Sequence, residues 1–177
     1  YFVTNLLISL FACFTLPAQS YKPVEIPATG EKILLHTGWF TRRANEIKTD
    51  GNTLTSQPFT TDGWLNARVP GTVLTTLVEN NIFPAPEFSM NNDLIPDIYE
   101  VGNEFYTFWF VKPFVITKVE PGQQIWLNFR GINYKADIFL NGKRINNDTH
   151  EGMFLRKSFN ITPYLNEIGE NLLAVIV

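Results

Sequence analysis

The chain has 177 residues and a net charge of −3, with 45% hydrophobic and 14% aromatic content (15 Phe, 6 Tyr, 4 Trp) and one cysteine. This balance gives no basic footprint for nucleic acid or an anionic membrane surface. A lone cysteine excludes an internal disulfide and a paired-thiolate metal site, so packed apolar side chains must hold the fold.

Residues 1–20, YFVTNLLISLFACFTLPAQS, are an apolar run closed by Pro17, Ala18 and Ser20, with no Lys or Arg before Lys22. They predict a secretory signal whose basic start is missing. A membrane span needs about 18–20 apolar residues; this run is shorter and is broken by Thr4, Asn5 and Ser9. Cleavage after Ser20 is expected, giving a periplasmic or extracellular protein. Leu10-Phe11-Ala12-Cys13 loosely resembles a lipoprotein cleavage box, which leaves a lipid anchor at Cys13 as the alternative. The sequence starts at Tyr1 and stops in the apolar run Leu172–Val177. Both ends are therefore expected to be cuts in a longer protein.

Tyr21 to Gly30 reads as a Pro-rich extended lead-in and Ile33 to Phe40 as the first strand. Residues 42–61 are polar, with Asp50-Gly51 as a turn and Pro58 as a breaker; Trp64 to Val69 is a short strand. One helix is predicted: Thr72 can cap it, and Val73, Leu74, Leu77 and Val78 share a face. The connection from Ile82 to Glu104, rich in Pro, Asn and Asp, is long enough to suggest a functional loop.

The second half reads as strands. Phe105 to Val111 is aromatic on both faces, the pattern of a central strand buried on each side. Ile125 to Phe129 alternates, and Ala136 to Leu140 runs into Asn141-Gly142, a strong hairpin signal. Met153 to Ile161 and Asn171 to Val177 follow, separated by a turn at Thr162-Pro163-Tyr164. Short strands at regular spacing predict an all-β sandwich or jelly roll with one short helix.

Catalytic chemistry is sparse. His36 and His150 belong to no spacing motif and read as structural or exposed residues. No nucleotide loop, metal-ligand pattern or nucleophile motif occurs. Gly102-Asn103-Glu104 resembles the Asn-Glu pair of many glycosidases, but it leads directly into a strand and reads as a polar turn. Asp93 and Asp97 lack a second carboxylate at a recognisable separation.

Two long stretches carry a resemblance: VPGTVLTTLVENNIFPAPEFSMNNDLIPDIYEVGNEFYTFWF (69–110) and LNFRGINYKADIFLNGKRI (127–145). They resemble the N-terminal domain of glycoside hydrolase family 2, in the branch of exo-β-glucosaminidases, mannosylglycoprotein endo-β-mannosidases and β-mannosidases. The resemblance implies a galactose-binding-domain-like jelly-roll β-sandwich over 21–177, followed by immunoglobulin-like domains and a barrel. It also implies a retaining β-glycosidase whose two glutamates lie in that barrel, with no cofactor. The implied partners are a β-linked oligosaccharide or glycoconjugate substrate and the protein's own downstream domains.

In that family a loop reading Pro-Asp-Pro-Phe-Tyr-Gly-x-x-Asn-Glu approaches the barrel mouth. Here Pro84 to Asp93 occupies it, with Asn92 and Asp93 at the last two positions as the candidate substrate-binding residues; Ala85, Glu87 and Ser89 depart from the pattern. Side-chain amides and carboxylates suit sugar hydroxyls. The alternatives are that the pair only caps a turn, that the domain is a free-standing carbohydrate-binding module or lectin, or that it is an interdomain clamp. Arg130, Asn133 and Tyr134 are expected to serve core packing and strand-end hydrogen bonding, and Trp64, Trp109 and Trp126 to lie in the core.

Overall fold

The computed structural model describes residues 21–28, 30–117 and 119–177. The expected signal segment, Cys13 included, lies outside the described residues. The strands in chain order are β1 (Val24–Ile26), β2 (Trp39–Arg43), β3 (Leu65–Ala67), β4 (Phe108–Ile116), β5 (Trp126–Phe129), β6 (Lys135–Leu140), β7 (Lys143–Arg144), β8 (His150–Glu151), β9 (Lys157–Asn160) and β10 (Asn171–Ile176). Three short α-helices join them: α1 (Gly51–Ser56), α2 (Val73–Glu79) and α3 (Ile98–Val101). The all-β sandwich expected from the sequence is observed, with three α-helices among the described residues where one was expected.

The larger sheet runs β3-β2-β4-β10-β6-β7, with β1 added to β4 and β8 to β6; β5 and β9 form the second sheet. Along one edge of β4, β2 pairs antiparallel with Phe108 to Val111 and β1 pairs parallel with Phe114 to Ile116. Pro113 falls between those two pairings, where its missing N–H disrupts neither ladder. β10 pairs antiparallel along the other edge.

Alternation divides β4 between two cores. Phe110, Phe114 and Ile116 join Ile138, Leu140, Leu173 and Val175 in the sandwich interior, closed from the other side by Leu127, Phe129 and Phe159. Trp109 and Val111 face the opposite way with Leu172 and Ala174, under Leu54, Phe59 and Trp64. Each fully buried aliphatic side chain of this kind stabilises the fold by about 1.5–3 kcal/mol.

Four local expectations change. Residues 33–38 are not strand: Gly38 has φ +68, and the carbonyls of Leu35 and Thr37 accept from the Trp39 indole (2.6 Å) and the Lys112 ammonium (2.5 Å). Phe105 and Tyr106 belong to a 3-10 turn, Asn103–Tyr106, so the central strand starts at Phe108 and runs on to Ile116. Asp50 is a helix cap rather than a turn residue, its carboxylate accepting from the Thr53 amide at 2.7 Å. Of the stretch Met153 to Ile161, only Lys157–Asn160 is strand.

The expected features at Thr72 and Asn141-Gly142 are present. Thr72 and Thr75 exchange side-chain to backbone hydrogen bonds in a capping box at the start of α2. Asn141 (φ +47) and Gly142 (φ +83) form the two-residue hairpin between β6 and β7. The Asn141 side chain reaches across to β10, donating to Asn171 Oδ1 (2.7 Å) and accepting from the Leu172 amide (2.9 Å). The Gly142 amide donates to Thr55 at 2.9 Å, which docks α1 on the hairpin.

Lys112 lies on the interior face of β4 at 0% exposure. Its ammonium donates to the Thr37 carbonyl and sits 5.8 Å from the Trp39 ring centre. Burial lowers its pKa from the ordinary 10.5 to about 8. Below about pH 8 both folded and unfolded chains carry the charge, and the full desolvation cost opposes folding. Between about 8 and 10.5 the folded chain releases the proton first, so this residue's contribution to stability rises with pH. Thermal unfolding of Lys112→Met and the unsubstituted chain should therefore differ most in the mutant's favour near pH 7. That difference should shrink by roughly 5 °C toward pH 10; a pH-independent difference would contradict burial of the charge.

Candidate functional site

The connection between α2 and β4 is built from short helical turns. Asn81 (φ +57) ends α2, and the Asn80 side chain donates to the Asn66 carbonyl at 2.8 Å, tying the helix to β3. A turn at Ala85 to Phe88 leads to Ser89 at φ +49. A left-handed position favours glycine, and this is where the family pattern has one. Asn91–Leu94 forms a 3-10 turn, and Asp97 then caps α3 by accepting from the Tyr99 amide at 2.8 Å. Gly102 (φ +80) ends α3, and the turn Asn103–Tyr106 delivers the chain to β4.

Both the middle and the end of this connection are anchored. The Asn91 side chain donates to the Ala85 carbonyl at 2.9 Å, closing the first loop. The Tyr106 hydroxyl donates to the Pro96 carbonyl, and burial pushes its pKa up. The register of β2 against β4 places Arg43 opposite Phe108. Its guanidinium lies 3.8 Å from the Phe105 ring centre and 5.0 Å from that of Phe108, and donates to the Phe105 carbonyl. Sequence reading missed Arg43. Its signal was an arginine at the end of an aromatic strand, but only the sheet register reveals its target.

Asn92 and Asp93 are exposed neighbours in the 3-10 turn. Among the described residues, neither side chain has a hydrogen-bond partner. Asn91 and Asp97 do the local tying, so an amide and a carboxylate remain beside each other with their hydrogen-bonding capacity open. Phe88, Met90, Leu94 and Tyr99 on the same connection are also exposed, Tyr99 at 96%.

The remaining polar candidates have other roles. Glu104 sits exposed in the turn before β4, as the sequence suggested. His36 is exposed; His150 is buried, its Nε2 shared between the carbonyls of Ile132 (3.1 Å) and Gly152 (2.9 Å). Arg130, Asn133 and Tyr134 are exposed rather than packed in the core, because Ile132 is the residue that turns inward between the sheets. Trp109 is core and Trp64 packs against it, but Trp126 is 52% exposed: the sandwich interior takes its alternate neighbours Ile125 and Leu127 instead. No group of three or more His, Cys, Asp or Glu among the described residues could hold a metal ion. An open groove of about 620 Å³, lined by Ile116, Thr117, Gln123, Thr162, Leu165 and Asn166 among others, contains none of the candidate residues.

Comparison with known proteins places this arrangement. The chain is 44% identical over 149 residues to the mannosylglycoprotein endo-β-mannosidase of Lilium longiflorum, a match covering 82% of this chain and 15% of the relative. It is 23% identical over 154 residues to an exo-β-D-glucosaminidase of Streptomyces avermitilis, covering 86% and 16%. Among solved structures, the β-D-mannosidase of Dictyoglomus thermophilum superposes with a TM-score of 0.58 at 27% identity, covering 81% of this chain and 15% of that one. The exo-chitosanase of Amycolatopsis orientalis has the same fold, with a TM-score of 0.66 at 23% identity over 80% of this chain and 16% of that one. The chain thus spans about 15% of the length of the relatives it matches. A family model described as the glycosyl hydrolase 2 galactose-binding domain-like domain matches residues 39–177, and the chain belongs to that family.

Proposed function

We propose that this chain is the pocket-shaping domain of an exported retaining β-glycosidase acting on β-mannosides or β-glucosaminides. The match to a curated endo-β-mannosidase over 82% of the chain carries the reading. Bond cleavage would fall to carboxylates outside these 177 residues, as in the family pattern of paired glutamates. This chain's contribution would be positioning: Asn92 and Asp93 hydrogen-bond sugar hydroxyls, while the exposed Phe88, Met90, Leu94 and Tyr99 pack against the rest of the protein. Export rests on the apolar run at 1–20. No helix among the described residues is long and apolar enough to cross a membrane.

In the full-length protein, Asn92→Ala should lower kcat/KM on an aryl β-mannoside or β-glucosaminide by about 10-fold. Asp93→Ala should lower it by about 100-fold, since bonds to a charged group are stronger. Both variants should unfold within about a degree of the parent, because neither side chain is buried or bonded. If both retain kcat/KM within about twofold on both substrates, the domain acts only as a clamp.

Arg43→Ala tests positioning. It removes the guanidinium from the Phe105 and Phe108 rings and from the Phe105 carbonyl, at a cost of about 1–3 kcal/mol. Limited proteolysis within 82–106 should accelerate about 10-fold, with KM raised more than kcat is lowered. Arg43→Lys should restore only part of the protection, because an ammonium lacks the flat stacking surface.

A further inference from the structure

The two-stranded sheet turns Leu127, Phe129 and Phe159 into the core, so Trp126, Asn128, Ser158 and Asn160 share its outer face. Trp126 is registered opposite Asn160, and Asn128 opposite Ser158. Among the exposed large hydrophobic residues described, Trp126 alone sits within a strand. Continuing the same alternation one residue beyond each strand brings Arg130 opposite Arg156, both exposed.

Both side-chain amide oxygens on this face already accept one hydrogen bond, while charged and amide donors are left over. Asn128 Oδ1 accepts from Ser158 at 2.6 Å, and Asn160 Oδ1 accepts from the Thr162 amide at 3.1 Å. The Asn160 amide N–H groups and both guanidiniums have no partner among the described residues. Charge follows the same pattern. Segments 121–136 and 152–166 contain Arg130, Lys135, Arg156 and Lys157 with no Asp or Glu, in a chain of net charge −3. Of these four, only Lys135 has an ion pair among the described residues, with Glu151.

We propose that this face binds an acidic polysaccharide, with the Trp126 indole stacking on one sugar ring and Arg130 and Arg156 pairing with carboxylates or sulfates along the chain. The indole supplies the flat apolar surface that a pyranose face matches. The guanidiniums supply bidentate donors for the anions. Four residues of strand separate Trp126 from Arg130, about 13 Å, so the ligand is a chain rather than a single sugar. Single-stranded nucleic acid fits less well, since it is bound by a series of stacking side chains in a basic groove, and here one indole lies in an acidic protein. The outer face of the two strands carries one aromatic among polar groups, and the flanking segments also expose Tyr134, Met153, Phe154 and Leu155; a domain packed over them is the outcome that iodide quenching of the indole detects. The site shares no residue with Asn92 and Asp93.

The test is calorimetric titration of the full-length protein with oligomannuronate and chondroitin sulfate, with neutral mannohexaose and a single-stranded oligothymidylate as comparisons. An acidic oligosaccharide should bind more tightly than mannohexaose, with affinity falling as salt rises. Trp126→Ala should weaken it at least 10-fold, Trp126→Phe less, and the double variant Arg130→Gln/Arg156→Gln should remove most of the salt dependence. All variants should keep the parent's kcat/KM on a small aryl β-glycoside, which separates this site from the pocket at Asn92 and Asp93. The proposal is overturned by absence of binding, by equal binding of mannohexaose, or by binding indifferent to Trp126→Ala. Oligothymidylate binding with the same Trp126 dependence, or an indole shielded from iodide quenching in the full-length protein, overturns it as well.

Discussion

The rest of the molecule is arranged around one strand. Phe108–Ile116 is buried on both faces and paired on both edges, so its backbone groups and its aromatic side chains must all find partners at once. β10 satisfies one edge; β2 and β1 divide the other around Pro113. The second sheet covers one face, while Leu54, Phe59 and Trp64 cover the other. Lys112 is the exception within this strand: its ammonium enters the sandwich interior, where the Thr37 carbonyl and the Trp39 ring receive it.

The candidate site depends on the same register. Pairing Arg43 with Phe108 aims a guanidinium at the turn that feeds the strand, and that contact fixes one end of a long excursion. The hydrogen bonds of Asn91 to Ala85 and Tyr106 to Pro96 close it internally. What projects beyond these ties is Asn92, Asp93 and a set of apolar side chains. In the proposed role, a backbone anchored this way loses little freedom on meeting a sugar, and only the exposed side chains of Asn92 and Asp93 have to be ordered.

Strand periodicity was legible where both ends of the pattern are local. The Asn141-Gly142 hairpin, the capping box at Thr72 and the alternation through Leu127 and Phe129 all follow from neighbouring residues. Reading failed where a distant partner decides. Residues 33–38 look extended and apolar, yet their carbonyls serve Lys112 and the Trp39 indole instead of a ladder. Phe105 continues the aromatic run into β4, but the cation above its ring places it in a turn. Trp126 is a miss of another kind: the local alternation that sends Ile125, Leu127 and Phe129 inward already turns it outward, and residue type alone put it in the core. At the candidate site, the motif located Asn92 and Asp93, while their freedom from local bonds could be read only from the folded loop.

The central claim is that the loop at Asn92 and Asp93 edges a sugar pocket completed by the rest of the protein. A crystal structure of the full-length protein with an unhydrolysed β-mannoside or β-glucosaminide bound tests it most directly. The expected result is a side-chain oxygen or nitrogen of Asn92 or Asp93 within about 3.2 Å of a sugar hydroxyl. A sugar seated in a catalytic pocket that no residue of 84–104 approaches would contradict it.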